Sequence, residues 1–547
     1  MSDVFLTANR RRVLSGALAA LAAPAVLRAQ TTADFVTVET ASGRLRGSRI
    51  GGVGVFKGVP YGDSVSGAAR FKPARLAPAW SGVRDALSLG TPSLQDPSTV
   101  YGLNEPAPGE DCLVLNVWAP AGGGAGRPVM FYSHGGGFTT GSGGSVTQDG
   151  AALAREYDVV VVATNHRLGL LGYLYLGELG GEAYAGSGNQ GLSDIVLALD
   201  WTRRNISAFG GDPDNIMIFG ESGGGAKTSC LYAMPGLKPM FAKAAIQSGP
   251  AVRVGSPEAA AQTTRMVLEE LGLSKAEWRK LIDVPGPALL KAQAAVSKRA
   301  SGGANGWRGI AEFRPGGYGP ILQPDLLPHH PFDPAAPAAA RDKPLIVGWN
   351  DSEAAFFAWQ SKDIAAFSLD EAGLKSRLAR DLGERAEQVI GVYRQSRPEA
   401  TPTDIYLAVG SIRSMGEGSI LIAERKAAQA AAPVYYYNLA YRSDRKPPGV
   451  ERELGAMHAI DIPLVFDNAT PTDTLAGSRP DRLGVAKSMS AFWTSFARSS
   501  QPAAPGQPAW RPYDLQSRAT MVIDDECKLV DDRRGAERRL WASVDPA

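Results

Sequence analysis

The segment "NIMIFGESGGG" (residues 215–225) places a single serine in a glycine-rich turn directly after an apolar run. The run predicts a buried strand, and the "AKTSCLYAM" that follows predicts a helix. A G-x-S-x-G pattern between a strand and a helix is typical of a nucleophile elbow, a sharp turn that holds the serine hydroxyl above the edge of a sheet. Ser222 is therefore the candidate nucleophile. A glycine-rich turn with an idle serine is the alternative that this pattern alone leaves open.

Further apolar runs on both sides of the elbow predict a sheet. Near-continuous apolarity is typical of strands that helices cover on both faces. Residues 192–206 supply a helix between two of the runs, with apolar side chains at helical spacing. The pattern predicts an α/β fold with a large, mostly parallel, doubly wound sheet flanked by helices. The runs are "PVMFYS" (128–133), "VVVVAT" (159–164), "NIMIFG" (215–220), "AKAAIQ" (242–247), "KPLIVG" (343–348) and "VYYYNLA" (434–440).

Two stretches, residues 250–342 and 354–432, differ from the strand-rich remainder. They are rich in Ala, Glu, Lys and Arg with amphipathic spacing, and glycine and proline segments interrupt them. We expect helical inserts that roof the sheet and its active-site gorge. No internal repeat is evident, so residues 30–547 are expected to form one domain.

The amino-terminal residues 1–29 join a cationic start to an apolar stretch, which is typical of an export signal. Arg10-Arg11-Arg12 resembles the twin-arginine motif of bacterial export. A Sec-type signal and a retained anchor are the alternatives. We expect the chain in the periplasm or outside the cell. Residues 30–547 contain no apolar run of 18 or more, so no stable membrane association is expected once the signal is removed.

Composition argues against several classes of function. Lys and Arg total 57 against 55 Asp and Glu, a formal net charge of +2, and no basic cluster of the kind that binds nucleic acid is present. Cys112, Cys230 and Cys527 lack CxxC spacing, which argues against a zinc site or a disulfide framework. His329 and His330 form too small a group for a metal site. We predict no metal, cofactor or nucleic-acid partner, and the number of subunits stays open.

A serine nucleophile needs a base within hydrogen-bond distance and an acid that orients the base. In hydrolases built on this kind of sheet, the chain order is serine, acid, histidine. Of the five histidines, His458 in "LGAMHAIDIPLVF" is the best placed. The acid is expected in a loop after a strand, and both Asp351 and Glu353 follow "PLIVG". Spacing alone does not separate these two acids.

The segment "HGGGF" (134–138) follows a predicted strand directly and exposes successive backbone N–H groups. Such groups stabilise the negative oxygen that develops when a carbonyl is attacked. Gly136 and Gly137 are the candidate donors, with Gly223 of the elbow as the third. A flexible glycine hinge is the alternative interpretation.

Taken together, the ordered motifs resemble those of the type B carboxylesterases, the α/β-hydrolase family that includes the cholinesterases. The resemblance covers nearly the whole chain after the predicted signal. It rests on "FKGVPYG", "ARFKPA", "EDCLVLNVWAP", "HGGGF", "NHRLGLLGYL", "GNQGLSDIVLALDW", "NISAFGGDPDNIMIFGESGGG", "AIQSGP", "PLIVGWNDSE" and "GAMHAIDIPLVF".

The resemblance implies an α/β-hydrolase fold and a serine esterase that acts on a small-to-medium ester through an acyl-enzyme. It also implies that Glu353 is the acid and His458 the base. A catalytically silent scaffold or adhesion protein of the same family is one alternative, and an amide or carbamate hydrolase with the same triad is another.

Some positions depart from the family pattern. The usual Ser-Ala of the elbow is Ser222-Gly223, which should loosen the turn slightly while it keeps the N–H donor. The position of the cysteine that normally pairs with Cys112 is occupied by Ser93, so we predict a free Cys112.

The substrate pocket is harder to predict because it is assembled from distant loops. Tyr101, Phe138 and Trp349 are the candidate lining residues. Glu221, beside the nucleophile, is expected to be a buried, hydrogen-bonded carboxylate at the same site. A choline ester is an unexpected substrate, because the loop before "EDC" offers Tyr101 and no tryptophan.

Overall fold

The computed structural model describes residues 34–96, 105–301, 314–446, 448–471 and 474–544. The predicted signal (1–29) and Tyr101 lie outside the described residues, so the predicted export of the chain stays a prediction. Within the described residues, thirteen strands form one sheet. The strands are β1 (Phe35–Thr40), β2 (Gly43–Ile50), β3 (Val53–Pro60), β4 (Val83–Asp85), β5 (Val114–Pro120), β6 (Arg127–Ser133), β7 (Val160–Thr164), β8 (Gly211–Glu221), β9 (Lys243–Gln247), β10 (Leu345–Asn350), β11 (Val434–Leu439), β12 (Thr520–Ile523) and β13 (Lys528–Val530).

Helices cover this sheet. The α-helices are α1 (Ala151–Tyr157), α2 (Gly169–Tyr173), α3 (Gly177–Gly180), α4 (Gln190–Asn205), α5 (Gly223–Ala233), α6 (Pro257–Glu270), α7 (Gly286–Ser301), α8 (Glu353–Gln360), α9 (Glu371–Leu382), α10 (Ala386–Ser396), α11 (Pro402–Ser411), α12 (Glu417–Ala428), α13 (Asp461–Val465), α14 (Arg482–Ser499) and α15 (Gly535–Val544). Within the described residues, no helix has both the length and the apolarity needed to cross a membrane.

The centre of the sheet is parallel. Its strands lie in the order β7-β6-β8-β9-β10-β11-β12, and every neighbouring pair in this run is parallel. All six predicted strands lie in this region, and their residues are buried almost throughout, as expected for strands covered on both faces. The predicted mostly parallel sheet is confirmed.

Both edges of the sheet are antiparallel except for the short strand β4, which pairs parallel with β2. At the amino-terminal edge β1, β2, β3 and β5 pair antiparallel, and β5 joins β7 in the same sense. At the other edge β13 pairs antiparallel with β12. Exposed and half-buried residues alternate along β1 up to its last residue, because one face of this edge strand is solvated.

The predicted crossover helix is present as α4, which connects β7 to β8 across the face of β6. Leu192, Ile195 and Leu199 are fully buried on one stripe of this helix. Because the stripe has the helical period, it forms one apolar face, and the helix packs against β7 and β8.

The parallel strands of the sheet all end on the same side, so the carboxyl ends of β6, β8, β10 and β11 lie close together. Functional residues of α/β proteins collect at these carboxyl ends. The segment 134–138 follows β6, Ser222 follows β8, Glu353 follows β10, and the segment with His458 lies between β11 and α13. The fold thus brings the four predicted parts of the site to one place.

Several helices lie within the two stretches that the sequence singled out. Residues 250–342 contain α6 and α7, and residues 354–432 contain most of α8 and all of α9 to α12. Helix α12 packs on β10 and β11, while α8 packs on α11. The second stretch therefore covers the part of the sheet that carries Glu353.

Candidate active site

Ser222 occupies a strained turn between β8 and α5. Its backbone has φ 58° and ψ −125°, a region that side-chain-bearing residues rarely adopt. The N–H of Ser222 donates to the backbone oxygen of Gln247 at 2.9 Å, which fixes the turn to β9. A Cβ atom on Gly224 would lie 1.9 Å from the backbone oxygen of Ser133, so glycine is required there. The predicted elbow is present, and it leaves the Ser222 side chain partly exposed.

His458 bridges the serine and an acid. Its Nε2 lies 2.7 Å from Ser222 Oγ, and its Nδ1 lies 2.6 Å from Glu353 Oε2. With the proton on Nδ1, the ring donates to the carboxylate and accepts from the hydroxyl. The ring of Phe357 packs against the imidazole at 4.6 Å between ring centres. The two contacts give the chain of hydrogen bonds that a serine nucleophile requires.

The structure separates the two candidate acids. Glu353 is the first residue of α8, is fully buried, and holds His458 with one oxygen. Asp351 instead forms ion pairs with Arg533 and Arg534. Burial alone would raise the pKa of Asp351, but the charges of these two arginines lower it below its usual value. Asp351 is therefore already neutralised by partners other than the histidine.

The second oxygen of Glu353 is also occupied. Glu353 Oε1 accepts from Ser248 Oγ at 2.6 Å and from the backbone N–H of Asn350 at 2.7 Å. These contacts fix the carboxylate, so that its other oxygen points at the imidazole. Sequence reasoning missed Ser248, although it lies in the quoted motif "AIQSGP" at the carboxyl end of β9.

The segment 134–138, here called the glycine loop, lies against the elbow. Gly136 and Gly137 have φ of 82° and 63°, so a side chain at either position would strain the backbone. Among the described residues, neither of their N–H groups donates to a backbone acceptor. The N–H of Gly223 starts α5, where the first amides have no partner within the helix. The predicted donors therefore lie on two segments that touch beside Ser222, the glycine loop and the start of α5, and their N–H groups have no backbone acceptor among the described residues.

Gly223 has a steric reason to be glycine. A Cβ atom at this position would lie 2.0 Å from the backbone oxygen of Gly137. The exchange of the family's usual alanine for glycine therefore accompanies a close approach of the glycine loop to the elbow, rather than only a looser turn.

Comparison with known proteins agrees with this geometry. The model of the carboxylesterase family matches residues 34–541. The chain belongs to the type B carboxylesterase family. It is similar to the para-nitrobenzyl esterase of Bacillus subtilis (strain 168), with 33% identity over 92% of this chain and 97% of that protein. It is also similar to the liver carboxylesterase of Sus scrofa, with 30% identity over 96% of this chain and 95% of that protein.

A solved structure shows the same fold. The crystal structure of a Geobacillus stearothermophilus carboxylesterase at pH 6.2 matches with a TM-score of 0.79 and 37% identity, over 92% of this chain and 99% of that chain. The present protein is accordingly a carboxylesterase with the α/β-hydrolase fold.

Two further carboxylates lie close to the histidine of the carboxylesterase. Glu221 Oε1 is 3.4 Å from His458 Nε2, and the side chain is fully buried. The buried carboxylate is present as expected, has no side-chain hydrogen-bond partner among the described residues, and is influenced by the backbone N–H of Ala459, which opposes the rise in its pKa. Burial raises the pKa of Glu221 well above its usual value, with a further contribution from Asp461. Glu221 contributes to the electrostatic field at the imidazole.

Asp461 is the other buried carboxylate. It accepts hydrogen bonds from Gln247 Nε2 at 2.8 Å and Asn350 Nδ2 at 3.2 Å. Burial raises the pKa of Asp461 despite these donors. The network ties the start of α13 to β9 and β10, and thereby fixes the segment that carries His458.

The predicted pocket residues fare differently. Phe138, the last residue of the glycine loop, is buried, and its ring packs edge-on against Tyr173 with 5.2 Å between ring centres. Trp349 is not brought to the site: its Nε1 donates to Tyr436 Oη at 2.7 Å, and it lines a cavity with Arg533 and other residues, none of them a member of the triad. The expectation for Trp349 is wrong, because side chains alternate along β10 and Asn350 is the residue that faces the His458 segment.

The cysteines of the carboxylesterase are all free and buried. The prediction of a free Cys112 is thus confirmed. Burial raises the pKa of its thiol to about 12, although a hydrogen bond with Ser93 opposes the shift. Among the described residues, no group of three His, Cys, Asp or Glu side chains is arranged to hold a metal ion.

Proposed function

We propose that this carboxylesterase hydrolyses small-to-medium carboxylic esters through an acyl-enzyme on Ser222. The observation that carries the proposal is the continuous chain of short hydrogen bonds from Ser222 Oγ through His458 to Glu353, at 2.7 and 2.6 Å. A hydroxyl in this setting can lose its proton to the imidazole as it attacks a carbonyl.

In the first step His458 Nε2 takes the proton while Ser222 Oγ attacks the ester carbon. The carbonyl oxygen becomes negative and accepts hydrogen bonds from the backbone N–H groups of Gly136, Gly137 and Gly223. Glu353 stays ionised and stabilises the imidazolium. The imidazolium then donates its proton to the leaving alcohol, the carbon–oxygen bond breaks, and the acyl group remains on the serine.

In the second step a water molecule replaces the alcohol. His458 takes a proton from the water, the resulting oxygen attacks the acyl carbon, and the same N–H groups bind the oxyanion again. Collapse of this intermediate returns the proton to Ser222 and releases the carboxylic acid. An amide or carbamate would follow the same route with a poorer leaving group, and we propose the ester as the better substrate for that reason.

A fluorophosphonate probe tests this proposal against a silent scaffold. We expect stoichiometric labelling of the wild-type chain, with the modification on the peptide that contains Ser222. A Ser222→Ala chain should not react, while Ser229→Ala should react normally, because Ser229 is a buried serine of α5 that donates to Gly225 O. Absence of labelling in folded wild-type chain would refute the proposal.

The pH dependence of the rate should report His458. Burial alone would lower the pKa of its imidazole, but the charges of Glu221 and Glu353 raise it above its usual value. Only the neutral ring can accept the serine proton, so kcat/KM should rise with pH and reach half its plateau above pH 6.5. The measurement is a pH profile with a p-nitrophenyl ester, corrected for spontaneous hydrolysis. A half-point below pH 6.5 would contradict the expected raised pKa.

A further inference from the structure

Lys227 is a buried cation in α5, five residues after the nucleophile. Its side chain is 0% exposed. Its Nζ donates to the backbone oxygen of His134 at 3.0 Å and lies 5.5 Å from the centre of the Phe138 ring. Within the described residues, no carboxylate contributes to its charge balance. The ammonium is therefore held by a peptide carbonyl and an aromatic ring at the two ends of the glycine loop.

The carbonyl that Lys227 contacts belongs to the peptide bond that joins His134 to the first of three glycines. Before it in the chain, the backbone oxygen of Ser133 lies 1.9 Å from where a Cβ atom on Gly224 would be. After it in the chain, the backbone oxygen of Gly137 lies 2.0 Å from where a Cβ atom on Gly223 would be. The glycine loop and α5 thus touch through bare backbone, and Lys227 adds a polar side-chain tie between these two contacts.

Packing alone does not account for a lysine at this position. A buried charge costs free energy unless an opposite charge or several hydrogen bonds compensate it, and an unbranched apolar side chain would fill the same space without that cost. The cost is visible in the group itself, because burial lowers the pKa of Lys227 to about 7. The ammonium group of Lys227 therefore has a role, as a hydrogen-bond donor, that an apolar side chain could not fill.

In the part of the chain that the structure describes, the titratable groups that feel the charge of Lys227 are two histidines. The rings of His134 and His166 stack at 4.5 Å between centres. Burial lowers the pKa of both well below the usual value, and the charge of Lys227 adds to the effect. Both rings are therefore neutral at pH 7, and any positive charge in this cluster resides on the lysine.

We propose that Lys227 is a positioning residue that fixes the His134 peptide and thereby aims the N–H groups of Gly136 and Gly137 at the oxyanion. Glycine has the largest conformational freedom of all residues, so a run of three needs an external restraint to stay in one geometry. The ammonium supplies a charge-assisted hydrogen bond, which is stronger than one from a neutral donor. This inference rests on the proposed function.

The test compares Lys227→Met with Lys426→Met. Lys426 of α12 is a matched control, because it is also fully buried, donates to the backbone oxygens of Ala340 and Arg341, and lies over the Tyr232 ring. Burial lowers its pKa to about 8. The residues that Lys426 contacts precede β10, so they lie at the amino end of that strand, whereas the triad lies at the carboxyl ends.

Three measurements are made on each chain: kcat/KM for p-nitrophenyl acetate, the inhibition constant of a trifluoromethyl ketone, and Tm. The ketone forms a tetrahedral adduct whose oxyanion needs the same N–H donors. For Lys227→Met we expect kcat/KM to fall by about 10- to 100-fold, with an equal weakening of the ketone. Lys426→Met should change both by less than about threefold, with a Tm change similar to that of Lys227→Met.

The pH profile provides a readout that a purely structural role would not move. The ratio of wild-type to Lys227→Met kcat/KM should be larger at pH 6 than at pH 9, because the lysine loses its proton near pH 7. Lys227→Gln, which keeps a neutral donor, should recover part of the activity. A Lys227→Met chain with unchanged kcat/KM and ketone affinity overturns the inference, and so does failure of both Lys227 variants to fold.

The inference and the proposed function fail in different ways. If Ser222→Ala abolishes hydrolysis while Lys227→Met is fully active, the positioning role alone is overturned. If Ser222→Ala is active, the proposed function is overturned, whatever the lysine variants do.

Discussion

A Ser222→Ala chain is expected to hydrolyse p-nitrophenyl acetate with kcat/KM lowered by about 10⁴- to 10⁶-fold, the range seen when triad members of other serine hydrolases are removed. The loss is large because the hydroxyl oxygen forms the new bond to the ester carbon. The fold should be preserved, since the Ser222 N–H still donates to Gln247 O. The measurement is steady-state kinetics, with the protein concentration determined by a method that does not depend on the active site.

Ser229→Ala is the matched control for this variant. Ser229 lies in the same helix, is fully buried, and donates to Gly225 O and Gly249 O. Its kcat/KM should stay within about threefold of wild type. A Ser222→Ala chain that keeps more than a tenth of the wild-type rate would place the nucleophile elsewhere.

The second large effect separates the two acids. Glu353→Gln should lower kcat/KM by about 10³- to 10⁴-fold, because the amide neither fixes the Nδ1-protonated tautomer of His458 nor stabilises the imidazolium. Asp351→Asn should leave kcat/KM within about tenfold and act mainly on stability, because it removes the partner of two arginines. Both variants are measured by steady-state kinetics and thermal unfolding.

The outcome is informative because the two acids lie only two residues apart, Asp351 just before α8 and Glu353 at its first position. A Tm loss confined to Asp351→Asn and a rate loss confined to Glu353→Gln would assign the acid to Glu353. The reverse pattern, with the rate loss at position 351, would contradict the hydrogen bond between His458 and Glu353 as the functional contact.

The central part of the fold could be predicted from the sequence because its signals are local. The six apolar runs are buried on both faces, so each contains an almost unbroken series of apolar residues. The elbow could be predicted for a similar reason, since the strained turn at Ser222 requires the small neighbours that the G-x-S-x-G pattern contains. The antiparallel strands at the edge, such as β1, are half-exposed and mix polar with apolar residues, so their pattern is weak.

The site was only partly predictable because its contacts join distant segments. Asp351 and Glu353 follow the same strand, and ion pairs with residues near the carboxyl terminus distinguish them. Trp349 was misassigned because a sequence does not tell which face of a covered strand points to the site. The contact of Lys227 with His134 O joins residues 93 positions apart and involves a backbone atom, for which the side-chain sequence carries no signal.

The covalent intermediate tests the central claim most directly. Wild-type chain is mixed with p-nitrophenyl acetate, quenched in acid during turnover, digested and analysed by mass spectrometry. We expect one acetyl group on the peptide that contains Ser222, and none in Ser222→Ala treated alike. The acid quench must be fast enough to trap an acetyl-enzyme before it is hydrolysed. If such a sample turns over the ester but contains no acetylated Ser222 peptide, the account is contradicted.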